Sequence, residues 1–223
     1  MGALAQPDDV VQRAQLEAAL ERMSGMIGEA PSRYHHDRAE VLFRLGRFEE
    51  SVADYDQAAQ FGRPHDEDWC WERGLAQYYA GDFAGGRDQF LRYNRVGSLD
   101  IENGIWRFLC IAELDGIEKA RETMLEYPRK VRPPFPALLE VYLGQGSAVA
   151  VMAGAERDAT APTELTTYRF YAHYYLGKYY EISGETATAL AEVTKALEYR
   201  IPHFMYACAK ADARRLRAAS SAK

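Results

Sequence analysis

Apolar residues in this chain recur at helical spacing, in segments separated by short glycine-bearing turns. Leu16, Leu20, Met23 and Ile27 share one face of a helix that opens at Pro7-Asp8-Asp9, where proline suits a first turn and carboxylates suit the positive end of the helix dipole. Gly25 and Gly28 weaken and end it. The next segment is predicted to start with Ser32 as its cap and to run through Leu45. A partner helix covers Phe48 to Gln60, with Val52, Tyr55 and Ala59 facing inward, and Phe61-Gly62-Arg63-Pro64 closes the pair. The same arrangement returns around Trp71-Glu72-Arg73-Gly74, where Gly74 permits close approach and Phe90 lies on the facing ridge. The glycine pair Gly85-Gly86 implies either an unusually close neighbour or a helix that starts late. A third pair begins near Glu102, and its second helix is predicted over Ile117–Leu125. The one break is Tyr127–Pro136, where four prolines cannot sit in a helix interior. Two shorter segments follow it, Pro136–Leu143 and Ser147–Asp158, turned by Gly144-Gln145-Gly146. A last amphipathic helix covers His203–Ala218, with Arg214, Arg215 and Arg217 on its outer face.

The turn glycines keep a period. Gly46, Gly81, Gly116 and Gly184 are separated by 35, 35 and 68 residues, the last interval holding room for one degenerate unit. Helix pairs repeating at about 34 residues are the signature of tetratricopeptide repeats. Phe170–Leu197 resembles one such repeat, with Leu176-Gly177, Tyr180, Ala189 and Val193 at the pattern's offsets, His173 in the tryptophan slot and Pro202 one residue late. The predicted fold is therefore all-α, a tetratricopeptide-repeat solenoid of antiparallel helix pairs. Residues 1–30 form an N-terminal helix and start, and residues 31–200 hold about five repeats, the fourth degenerate after the proline-rich 127–136 break. Residues 201–223 form a capping helix and tail. A helix pair this short cannot bury its apolar face alone, so each unit depends on neighbours.

The order of units resembles the family of the bacterial outer-membrane lipoprotein NlpI. The likeness rests on E-R-G-L-A-Q-Y-Y-A-G at Glu72–Gly81, I-W-R-F-L at Ile105–Leu109, E-V-Y-L-G at Glu140–Gly144 and F-Y-A-H-Y-Y-L-G-K-Y-Y at Phe170–Tyr180, and covers about Ser32 to Leu216. The resemblance implies a non-enzymatic adaptor or scaffold that binds other proteins or peptides, assembles envelope or lumenal complexes, and can form a homodimer through its N-terminal helix. No cysteine near the start matches that family's lipid-bearing one. The resemblance also implies a concave partner-binding groove lined by the first helix of each pair. That places Arg33, His36, Glu40 and Phe43, then Asp68, Trp71, Leu75 and Tyr78, then Asn103 and Trp106, then Tyr171, Tyr174 and Lys178 along it. Trp71, Tyr78, Trp106 and Tyr174 would be its aromatic centre. A tightly wound array would instead turn these aromatics onto the next helix as core, and the tyrosines from Tyr168 to Tyr180 cover every side of their helix, so that some of them must pack and find partners for their hydroxyls.

Composition narrows the alternatives. The net charge of −6 argues against nucleic acid, whose phosphates reward clustered lysine and arginine. No apolar run is long enough for a transmembrane segment. Cys70, Cys110 and Cys208 form no C-x-x-C pair and read as buried free thiols, and adjacent His35 and His36 point to different sides of a helix, so no metal or cofactor is expected. H-E-x-x-H, G-x-S-x-G and phosphate-cradling glycine loops are absent, which leaves an enzyme only as a site assembled across repeats. A structural subunit or assembly factor of a larger complex is the closer alternative. Ala3-Leu4-Ala5-Gln6 has the form of a signal-peptide cleavage tail, which fits export to a periplasm or thylakoid lumen; a cytoplasmic protein with an ordinary start is the other reading.

Overall fold

The computed structural model describes residues 7–63, 65–97, 100–127 and 132–221, and its regular structure is all helical. Among those residues there are twelve α-helices and no strand. The Ala3–Gln6 cleavage-like stretch and residues 128–131 of the proline-rich break lie outside the described residues. The chain divides into two compact units, Met1–Val96 and Gly97–Lys223. No helix is long and apolar enough to cross a membrane among the described residues.

The first unit holds α1 (Pro7–Met26), α2 (Pro31–Leu45), α3 (Phe48–Phe61), a short 3-10 helix (Asp66–Trp69), α4 (Trp71–Tyr79) and α5 (Phe83–Val96). Neighbours in sequence are neighbours in space: α1 lies on α2, α2 on α3, α3 on α4 and α4 on α5. Ser32 does not cap α2. Pro31 already fits the first helical position, so the helix starts one residue earlier from Ala30, and the Ser32 hydroxyl instead donates to the Ala58 carbonyl at 2.9 Å, tying α2 to α3. Asp54 of α3 is the second tie, accepting two hydrogen bonds from Arg38 at 2.5 Å each while facing His35 Nδ1 at 3.0 Å. Ser51 adds a third by donating to the Ala39 carbonyl. Gly85 and Gly86 sit inside α5, which does not start late. Asp82 explains the first of them: it folds back to accept from the Gly85 N–H at 2.9 Å, and its carboxylate fills the space a Cβ would need.

The second unit holds α6 (Ile101–Asp115), α7 (Ile117–Glu122), α8 (Phe135–Tyr142), α9 (Ala148–Arg157), α10 (Pro162–Ile182), α11 (Thr186–Ala196) and α12 (Phe204–Ser221). Here α10 is the centre, with α6, α8, α9 and α11 packed around it. Nine consecutive residues, Phe170 to Lys178, are buried, which requires neighbours on every side of the helix.

Gly46, Gly81, Gly116, Gly144 and Gly184 all have φ between 78° and 90°, the left-handed region that favours glycine. Gly144 is the turn of the unit anticipated between Gly116 and Gly184. Gly177 has a different reason to be glycine. A Cβ there would meet Val193 Cγ2 at 2.7 Å and the Ala189 carbonyl at 3.2 Å, so the backbones of α10 and α11 touch at this point. Gly177→Ala is expected to destabilise the second unit by about 1–3 kcal/mol, as overpacking a closed contact does. Urea unfolding checks this, and an unchanged midpoint would show that α11 can retreat freely.

Candidate functional site

Eight of the thirteen residues expected along a groove are interior side chains: Phe43, Leu75, Tyr78, Asn103, Trp106, Tyr171, Tyr174 and Lys178. This corrects their placement, and each has a physical reason to be inside. Phe43 is enclosed edge-on by Phe48 and Tyr79, with centroids 5.1 and 5.2 Å away, and Tyr78 meets Phe83 at 5.4 Å. Leu75 has no exposed surface. Asn103 donates to Asp100, the cap of α6, at 3.1 Å. Trp106 donates through Nε1 to the Tyr175 hydroxyl at 2.9 Å, and that hydroxyl donates on to Glu102 at 2.7 Å. Tyr174 donates to Asp212 of α12 at 3.1 Å, while Lys178 donates to the same carboxylate at 3.1 Å and to Glu181 at 3.0 Å. The Arg132 guanidinium covers the ring of Tyr171, 4.6 Å from its centroid. The hydroxyls of Tyr174 and Tyr175 thus have polar partners, that of Tyr171 lies 3.4 Å from His203 Nδ1, and the three rings stack on or meet one another.

The other five expected residues, Arg33, His36, Glu40, Asp68 and Trp71, are exposed or half-buried, and all belong to the first unit. Arg33 and His36 line a recess of about 370 Å³ between α2, α3, the 3-10 helix and the start of α4. Sequence reasoning missed most of its wall, which adds Asp37, Tyr55, Asp66, Glu67 and Arg73 among others. The wall is held by paired polar groups. Arg73 donates to Asp56 at 2.7 Å and to Gln89 at 3.0 Å, and Gln89 donates to the Glu67 carbonyl at 2.7 Å, fixing the 3-10 helix against α5. Asp66 accepts from the Arg63 N–H at 2.8 Å, and Gly62 passes so near Ala58, Asp66 and Ser32 that a Cβ would crowd all three.

At the two ends of the connection that forms one side of the recess stand the two large aromatics exposed among the described residues, Phe61 at the end of α3 and Trp69 at the end of the 3-10 helix, at 56% and 53% of their surface. Both are oriented from behind. His35 stacks on Phe61 with centroids 5.8 Å apart, and Tyr93 meets Trp69 edge-on at 6.1 Å. The acidic side chains Asp37, Asp66 and Glu67 stand along the wall. Arg33 is turned toward Asp37 at 3.6 Å, and Glu67 has no ion pair among the described residues. The arrangement offers two apolar platforms beside a hollow of mixed charge, in which Asp37 faces Arg33, Asp66 faces Arg63 and Arg73 is held by Asp56, leaving Glu67 as the carboxylate of the wall with no ion pair among the described residues. In the sequence, Phe61 fell in the turn expected to close the first pair, and Trp69 lay next to Asp68 at the start of the following helix, off the positions expected to face the groove. No known protein-family model matches the chain.

Proposed function

We propose that the chain is a non-enzymatic protein–protein interaction adaptor, and that the recess of its first unit takes an extended segment of a partner protein in which a basic side chain is flanked by apolar ones. The observation that carries this reading is the pair of exposed, backed aromatics, Phe61 at the end of α3 and Trp69 in the 3-10 helix, beside a hollow whose Glu67 has no ion pair among the described residues. Rigid aromatics at a concave site are the usual anchors of an interface. The recurring left-handed turn glycines and neighbour-on-neighbour helix packing support a tetratricopeptide-like repeat architecture related to the NlpI family, in which such surfaces serve assembly. The partner-binding surface is narrower than the groove expected from the repeat pattern. It draws on Arg33 and His36, whereas Trp106 and Tyr174 hold the second unit together.

Selection of displayed random peptides on the immobilised full chain tests the reading. Peptides combining lysine or arginine with apolar residues should be enriched. The affinity of a synthetic representative should fall at least about tenfold in Phe61→Ser and in Trp69→Ser, a loss typical of an interface anchor. Both residues are surface-exposed, so circular dichroism should show unchanged helix content. Absence of a shared peptide pattern, or equal binding by both variants, would overturn the proposal.

A further inference from the structure

Three donors of different chemistry meet at the inner wall of the recess. His36 comes from α2, Cys70 from the residue that joins the 3-10 helix to α4, and Glu72 from the first turn of α4. Their ligand atoms, an imidazole nitrogen, the thiol sulfur and a carboxylate oxygen, all lie within 4.8 Å of one another. Around a tetrahedral zinc, bonds of about 2.0–2.3 Å would place such atoms about 3.3–3.7 Å apart. Binding would draw the three donor atoms together by up to about 1.5 Å.

We propose that His36, Cys70 and Glu72 form a site for a divalent transition metal, best suited to zinc, whose fourth coordination position faces the recess and is filled by water. The mixture of donors selects the metal class. Thiolate and imidazole favour zinc and its neighbours over magnesium or calcium, which prefer all-oxygen shells. Two of the three, His36 and Cys70, line the recess, so an ion has a path in from solvent. The imidazole is steadied by Tyr55, which meets it at a centroid distance of 5.2 Å and an angle of 80°.

Glu72 has no ion pair among the described residues, and the neighbouring Arg73 guanidinium is taken up by Asp56 and Gln89. On binding, the thiol proton, together with the Glu72 proton where that carboxyl is protonated, passes to solvent as the sulfur and oxygen coordinate. This inference shares His36 and the recess with the peptide-docking reading but requires neither Phe61 nor Trp69, so either can fail without the other.

Cobalt(II) is the probe. The reduced, chelator-treated full chain should bind one equivalent of cobalt, developing a thiolate-to-cobalt charge-transfer band in the near ultraviolet that zinc then abolishes by displacement. Cys70→Ser should lose the band. His36→Gln and Glu72→Gln should weaken cobalt binding at least about tenfold, the scale expected for losing one ligand of a small site. Cys70 lies between helices and none of the three is fully buried, so circular dichroism is expected to show all variants folded. The unsubstituted chain alone decides the matter if a variant fails to fold: a folded protein with no charge-transfer band overturns the site. A band that survives Cys70→Ser, or cobalt affinity unchanged in both other variants, overturns this ligand set.

Discussion

Lys178→Met is expected to cost the second unit about 3–5 kcal/mol, the loss that follows when one member of a buried ionic cluster is removed. The Lys178 side chain is 0% exposed, as is that of its partner Asp212, and the ammonium sits between Asp212 at 3.1 Å and Glu181 at 3.0 Å. It also lies 5.7 Å from the centre of the Trp106 ring. These contacts join α10 to α12 and to α6. Methionine keeps most of the stem's volume but removes the charge, leaving Asp212 and Glu181 to Arg215, whose side chain is 48% exposed. The cost is that of two carboxylates held out of water with too little positive charge. The double variant Lys178→Met, Asp212→Asn should therefore recover part of the loss.

Trp106 is the sole tryptophan of the second unit, so a Trp69→Phe, Trp71→Phe background reports its unfolding in urea. A loss below about 1 kcal/mol, within the range of exposed ion pairs, would mean that the cluster is solvated in solution. The acid limb gives a second readout. Burial raises the Glu181 carboxyl, but Lys178 and then Arg215 outweigh it and hold the group well below the usual carboxylate range. A depressed value contributes stability that is present above the ordinary carboxylate pKa and disappears as pH falls through the folded one. Without Lys178 the Glu181 carboxyl is held less far down, so its share of the acid loss should be smaller and should end at a higher pH.

Lys178 also shows what a single sequence can and cannot reveal. The turn glycines were legible because a positive φ after a helix leaves few alternatives, and Gly46, Gly81, Gly116 and Gly184 marked the helix pairs from their spacing alone. The different directions of His35 and His36 were legible for a similar reason, since adjacent helical residues cannot face the same way: His35 turns to Asp54 and His36 to the recess. The interior of α10 was harder. Period assigns a residue to a side of its helix but not to solvent or to a neighbour, and α10 has neighbours on all sides. The run F-Y-A-H-Y-Y-L-G-K held the clue, because a helix apolar and aromatic on every side is a buried one. Lysine in that run fell at a position that the resemblance assigns to a groove, and nothing in the sequence ties it to Asp212, 34 positions away on a helix read as amphipathic. The recess escaped notice because it depends on the path of the chain from Gly62 to Cys70, which no repeat pattern specifies. His36, Cys70 and Glu72 have no motif spacing at all. Only the seating of α4 beside α2 and α3 brings them together.

The stability of the second unit should fall by about 3 kcal/mol as pH rises from about 5 to about 8 through Glu102 alone, and Glu102→Gln should remove that dependence. Glu102 lies in the first turn of α6, accepting from the Tyr175 hydroxyl at 2.7 Å and from Arg132 at 2.8 Å. Burial pushes its carboxyl up to about 7, against the pull of the Arg132 charge and the Tyr175 hydrogen bond, while Asp100 pushes it further up. A folded-state value above the unfolded one means that the native protein holds its proton more tightly. The resulting contribution is complete below the ordinary carboxylate range and is lost as pH rises through about 7. His203 works in the opposite sense across part of this window. Burial and then Arg132 lower its value, so its contribution is present at high pH and lost on acidification. Both proteins contain His203, and the difference between wild type and Glu102→Gln at each pH isolates the carboxyl. That difference should favour wild type at about pH 5 and shift steadily toward the variant by about pH 8. Parallel curves would show that Arg132 keeps Glu102 ionised throughout, making the pair an ordinary ion pair between α6 and the segment leading into α8.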